Sequence, residues 1–169
     1  MNSIKKTARF AGLLYFLASL LGLPGLILVP GRLFVRGDVA ATAGHVRDNA
    51  ALLHFGIASE LVSTVLFIWL VLVLYRLFQP VSENHARAMA ILILLSMPIS
   101  VVSVLNEVGA SIVASGDNLA AFDKAQLDSL TYLFMRLHAR GYALAEIFWG
   151  CGCFRLVSLS SDLVSSHEF

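Results

Sequence analysis

The chain has 169 residues, of which 58% are hydrophobic and only 14% charged, and its formal net charge is +1. A water-soluble domain is about 25% charged, so this composition excludes an ordinary soluble protein and points to one that faces lipid. The small net charge excludes a nucleic-acid binder, which presents a basic patch or stripe.

The first apolar segment follows Lys5, Lys6 and Arg9 and runs from Phe10 to Val29 without a charged side chain. About twenty apolar residues in a helix cross a ~30 Å hydrocarbon core. We place the first span at about Ala8 to Leu28, with a kink or break at Pro24-Gly25. A secretory signal peptide also has a basic start and an apolar middle, but this run is long for one, and the nearest small-x-small site, Ala41-Thr42-Ala43, lies well beyond it.

Pro30 to Ala51 is long enough for an element of its own. Asp38 is a good N-cap, and Val39, Ala43, Val46, Ala50 and Leu53 recur at helical spacing. This predicts a short amphipathic helix in the membrane interface, or an early start to the second span. That span is placed at about Leu52 to Leu77. The third runs from about Ala88 to Val113, with Pro98 expected to kink it. The fourth, about Leu130 to Leu156, is interrupted by Arg136, His138, Arg140 and Glu146. A central Arg costs about 2.5–3.5 kcal/mol on insertion scales, so this span must hide a polar face against the other helices. The predicted fold is an all-α polytopic membrane bundle of four transmembrane helices with a short amphipathic interfacial helix between the first two. It forms one domain over 1–157, followed by a polar tail over 158–169.

Basic residues set the orientation. With the N-terminus inside, the cytoplasmic set is Lys5, Lys6, Arg9, Arg76, Arg87 and Arg155, and the outer set is Arg32, Arg36, Arg47 and Lys124. The bias places both ends in the cytoplasm.

Several stretches resemble a family of small bacterial multi-pass membrane proteins known as domain of unknown function 4386. They are Ala8-Arg9-Phe10-Ala11-Gly12-Leu13-Leu14-Tyr15, Phe34-Val35-Arg36-Gly37-Asp38 with Ala40 to Ala43, and Ala58-Ser59-Glu60-Leu61-Val62. Leu74-Tyr75-Arg76-Leu77 and Leu137-His138 with Gly141-Tyr142 and Ala145-Glu146-Ile147-Phe148-Trp149-Gly150 complete the set. The resemblance covers about residues 8 to 150. It implies a helical bundle in a bacterial inner membrane and brings no established activity. It also implies further membrane helices after the Phe-Trp-Gly stretch, where this sequence turns polar at Ser158, Ser160, Ser161 and Asp162. A truncated or altered end is the expectation there.

Ionisable residues inside spans are costly and are functional candidates by default. Glu60, Asn106, Glu107, Arg136 and His138 each lie six to eight residues in from the expected outer ends of their spans, or roughly 10 Å at 1.5 Å per residue. A shared depth predicts an intramembrane polar cluster of Glu–Arg or Glu–His pairs. The blander reading is a set of structural ion pairs that glue helices together; the sharper one is a proton relay or ligand site. Arg140, Glu146 and Arg9 are secondary members, with Arg9 within reach of Glu146. Glu60, Glu107 and His138 are donor types that bind zinc, but the His-Glu-x-x-His spacing is absent and only one deep His is available. No metal or other cofactor is therefore expected. Tyr142 and Trp149 read as packing aromatics, and Cys151 and Cys153 as unpaired thiols. Neither a Gly-x-Ser-x-Gly elbow nor a phosphate-binding loop occurs, and no catalytic residue is assigned.

The leading functional reading is an accessory or interaction protein whose partners are the bilayer, another membrane protein or a second copy of itself. The alternatives are a small transporter or permeation protein using the polar layer, and an intramembrane enzyme with Glu60, Glu107 and His138 as acid–base groups. Matched broken helices, common in transporters, are absent: Pro24-Gly25 and Pro98 do not correspond.

Overall fold

In a computed structural model the protein is described over residues 2–117 and 119–165, with side chains placed for 4–117, 119–152 and 154. All regular structure among the described residues is helical: α1 (Asn2–Leu23), a π-helical stretch Pro24–Leu28, α2 (Val29–Leu33), α3 (Val39–Asp48), α4 (Ala50–Phe78), α5 (Glu83–Ser115) and α6 (Lys124–Ser165). Three of these units are long and apolar enough to cross a membrane: Ile4–Leu33, Ala50–Phe78 and Glu83–Ser115. The expectation of four such spans is corrected to three. The fourth helix has the length, but Arg136, Arg140 and Glu146 dilute its apolar character.

The first span does not break at Pro24-Gly25. The helix widens into a π-turn, in which the Val29 N–H donates to the Pro24 carbonyl, and continues into α2. Pro98 likewise sits inside an unbroken α5. The helix predicted after Asp38 is present, and the Asp38 carboxylate accepts the Ala41 N–H at 2.8 Å. Its apolar face, Ala43 and Val46, is buried against protein: α3 packs across α5 and α6. An Arg47–Asp128 ion pair at 2.6 Å and a Phe34–Tyr132 ring stack fasten this end of the fold to α6.

α6 begins earlier than Leu130 and extends past the expected tail boundary, through Ser165. Its start is a reciprocal cap: Asp123 accepts the Gln126 N–H at 2.8 Å, and the Gln126 side chain accepts the Asp123 N–H at 3.0 Å.

α1 packs along α4, α4 along α5, and α5 along α6 in the most extensive interface of the fold. Close approach is set by glycines whose missing side chains make room. A Cβ at Gly109 would press on the Phe134 ring, and one at Gly152 on Ile93. Small residues let membrane helices come together in this way. Two apolar layers result. One joins Val29, Leu33, Val46, Leu53, Ala110 and Met135; the other joins Val71, Met89, Ile93 and Met97, with Trp149 against it. The polar residues of interest lie between these layers.

Candidate functional site

One buried residue comes from each of three helices. Glu60 of α4, Glu107 of α5 and His138 of α6 are all essentially inaccessible, and one ligand atom from each lies within 4.8 Å of the others. The seam of α6 explains why His138 is there. Asp128, Thr131, Met135, His138 and Ala145 are buried, with Tyr142 partly so, at alternating steps of three and four. A helix that repeats in this way keeps one narrow face against its neighbour. Glu107 lies on the equivalent buried face of α5, in step with Ser100, Ser103 and Ala110.

Glycines shape the site as well. Gly25, in the π-turn, faces Glu60 so closely that a Cβ there would overlap its side chain. Single π-turns inside longer helices are frequent at functional sites, and here the turn supplies the wall against which Glu60 rests. Gly141 lies against Ser103. That approach brings the His138 ring, one turn earlier, to the Ser103 carbonyl.

The hydrogen bonds define the imidazole. His138 Nδ1 lies 3.1 Å from the Ser103 carbonyl oxygen. A carbonyl only accepts, so Nδ1 carries the hydrogen and donates. Nε2 then points at Glu107 Oε1 at 3.5 Å and Glu60 Oε1 at 3.7 Å. Both exceed the usual 2.7–3.2 Å of an N–H···O bond. On the far side of Glu60, the Tyr142 hydroxyl donates to Oε2 at 2.8 Å. Glu60 Oε1 and both oxygens of Glu107 have no hydrogen-bond partner among the described residues.

The structure therefore brings Glu60, Glu107 and His138 together and adds Tyr142, which the sequence reading assigned to packing. It does not bring in Arg136 or Asn106. Arg136 is exposed and lies 6.0 Å from the centre of the Tyr132 ring. Asn106 bonds to the Val102 carbonyl of its own helix. The physical reason is azimuth. Residues at one depth share a face only when the helical phase agrees, and Arg136 is two residues, or about 200° of rotation, from His138. Among the described residues Arg9 and Glu146 form no ion pair, and both they and Arg140 are exposed. Cys151 is a free thiol, while the side chain of Cys153 lies outside the described residues.

Beside the cluster lies a cavity of about 330 Å³ between α1 and α6, which share no extensive interface. Its walls include Ala18, Leu23, Leu26, Phe67, Met97 and Trp149. Its polar groups are Glu60, Tyr142, Glu146 and the hydroxyls of Ser19, Ser63, Thr64 and Ser100. Among the described residues lining it there is no Lys, Arg or His.

These features define a class: a helical protein with three membrane-span-like segments, built around a buried carboxylate–imidazole–phenol cluster. The chain belongs to the family described as Domain of unknown function (DUF4386), whose match covers residues 10–164. The match runs on past residue 150 and so includes the polar stretch of α6. No curated protein and no solved structure is significantly similar to the chain.

Proposed function

We propose that this protein is a multi-pass membrane protein that takes a small amphiphile from the bilayer into the cavity between α1 and α6. The observation that carries this reading is the lining of that cavity. A pocket of roughly 300–1,000 Å³ with apolar walls and a few convergent polar groups is the usual form of a small-molecule site. Here the polar groups gather at Glu60, Tyr142 and Glu146. With carboxylates and hydroxyls but no cation, they favour a hydrogen-bond-donating or cationic head and disfavour phosphate or carboxylate heads. An accessory role in which the polar layer merely glues helices is less well supported, because the buried carboxylates pair with no Lys or Arg among the described residues.

The test uses the protein in lipid nanodiscs with Trp69→Phe, which leaves Trp149 in the cavity wall as the sole tryptophan. Dodecylamine and dodecanol are expected to change its emission saturably, and dodecanoate only in proportion to the amount added. Ser19→Phe, which fills the cavity, should abolish the saturable change. Equal saturation by dodecanoate, or no effect of Ser19→Phe, would overturn the reading.

In the same reading Leu133, Leu137, Leu144 and Ile147, on the exposed side of α6, face lipid beside the three spans. Arg136 and Arg140 would snorkel toward the headgroups. The basic N-terminal cluster and the 79–82 turn are then on the cytoplasmic side of a bacterial inner membrane. In a background without native cysteines, Asn84→Cys in intact cells is expected to resist an impermeant maleimide, and Asp117→Cys to react. The reverse pattern would invert the topology.

A further inference from the structure

We propose that Glu60, Glu107 and His138 bind a divalent transition-metal ion, one ligand from each of three helices, in the interior of the bundle. Four observations converge on this, none of which needs the amphiphile reading.

The first is charge. Two carboxylates are buried beside an imidazole, and among the described residues no Lys or Arg pairs with them. Buried charges are paired or coordinate metals. A divalent cation would balance both carboxylates at once.

The second is the orphaned oxygens. Glu107 is completely buried, and neither of its oxygens has a hydrogen-bond partner among the described residues. An unsatisfied buried polar group costs about 1–3 kcal/mol, and a charged one more. Glu60 Oε1 is orphaned as well, and it and Glu107 Oε1 both lie within 4 Å of His138 Nε2, at 3.7 and 3.5 Å.

The third is the arrangement around the imidazole. With Nδ1 donating to the Ser103 carbonyl, Nε2 is the ring nitrogen turned toward the two carboxylate oxygens. A metal-bound His characteristically donates its other N–H to a backbone carbonyl or carboxylate, which fixes ring orientation and tautomer. Tyr142 does the corresponding work on Glu60 by donating to Oε2.

The fourth is spacing. Ligand atoms about 2.1 Å from a common ion, at tetrahedral angles, lie about 3.4 Å apart. The Nε2 to carboxylate distances are 3.5 and 3.7 Å, too long for hydrogen bonds and right for sharing an ion. Imidazole with carboxylates suits zinc, manganese or ferrous iron. Three protein ligands leave a fourth position for water or a ligand, the arrangement of reactive rather than purely structural sites.

The experiment uses the full chain, purified with chelator in detergent and then dialysed against Zn²⁺ or Mn²⁺. Metal content is measured by mass spectrometry, and Co²⁺ is used as a visible-absorption probe of coordination. The expected result is one ion per chain, cobalt d–d bands, and a thermal midpoint raised by the metal. Glu107→Gln, an isosteric exchange, and His138→Gln, which removes the imidazole nitrogen, should each weaken binding at least about tenfold, while Glu83→Gln, at an exposed carboxylate in the 83–87 ion pair, should bind as the parent does. Should one of the two site variants fail to fold, the other decides. A parent chain that retains no ion above the level of Glu107→Gln, or site variants that bind like the parent, would overturn the proposal.

Discussion

Glu107→Leu is expected to raise the thermal midpoint of the chelated protein in detergent, by several degrees. Removing a buried charge usually harms a protein because its partner is left behind, uncompensated. Among the described residues Glu107 has no hydrogen-bonded partner: both its oxygens are unsatisfied, and His138 Nε2 stands 3.5 Å away, beyond the usual hydrogen-bond length. Replacing it by an apolar residue of similar volume removes a desolvation cost and keeps the packing. Exchanges of buried ionic groups for apolar ones have stabilised proteins by about 1–4 kcal/mol, and the lower half of that range is expected for a single group. Adding metal should reverse the order, because only the parent gains from the ion. A lower midpoint for Glu107→Leu without metal would show that the carboxylate is paired in solution. The same geometry makes Glu107→Leu and Arg136→Leu independent. They share no partner, so their effects should add to within about 0.3–0.5 kcal/mol, whereas a Glu107–Arg136 pair would couple them.

A carboxylate kept at a cost is the mark of a site rather than of a scaffold. Sequences that specify a fold agree at every level, and local conflicts concentrate where function is carried. Depth in the bundle was readable from the chain, because counting residues from the end of an apolar run needs only the helical rise. That count alone puts Glu60, Glu107 and His138 in one layer. Azimuth was harder, because all four long helices carry apolar residues around most of their circumference, so hydrophobicity does not mark the inward face. The information was present in another form. On α6 Asp128, Thr131, Met135, His138, Tyr142 and Ala145 recur at alternating steps of three and four, and this stripe rather than the leucines is the inward one. Reading it would have separated His138 from Arg136 and added Tyr142. The start of α6 was legible too, in the Asp123-x-x-Gln126 cap. Pro24-Gly25 was legible only as an irregularity, because the residue it accommodates, Glu60, comes from another helix. The gathering of Glu60, Glu107 and His138 was hidden for the same reason. A spacing such as His-Glu-x-x-His lies within one helix, while these three residues come from three.

Gly141→Leu is expected to lower the thermal midpoint sharply, and Gly150→Leu, on the same helix, to leave it unchanged or raise it slightly. Both exchanges replace glycine inside α6 with a good helix former, which by itself favours the helix by about 0.8–1 kcal/mol. What differs is the space outside. Among the described residues nothing lies within 4 Å of a Cβ at position 150. At position 141 a Cβ would lie 3.0 Å from Ser103 Cβ and 3.6 Å from Ser103 Cα, with the Ser103 hydroxyl closer still. The hydroxyl can rotate, but the α5 backbone cannot, so a leucine there must push the two most extensively packed helices of the fold apart. Overpacking a close contact typically costs about 1–3 kcal/mol and occasionally more, which exceeds the helix-propensity gain. The displacement would also carry His138 from the Ser103 carbonyl that orients it, so Gly141→Leu should lose the cobalt spectrum even at temperatures where the chain remains folded. Gly141→Ala, whose single methyl group forces the Ser103 hydroxyl to rotate away and its Cβ to yield by a few tenths of an ångström, should fall between the two. Equal effects at 141 and 150 would mean that α5 and α6 are not held together at Ser103. The imidazole would then owe its orientation to some other contact.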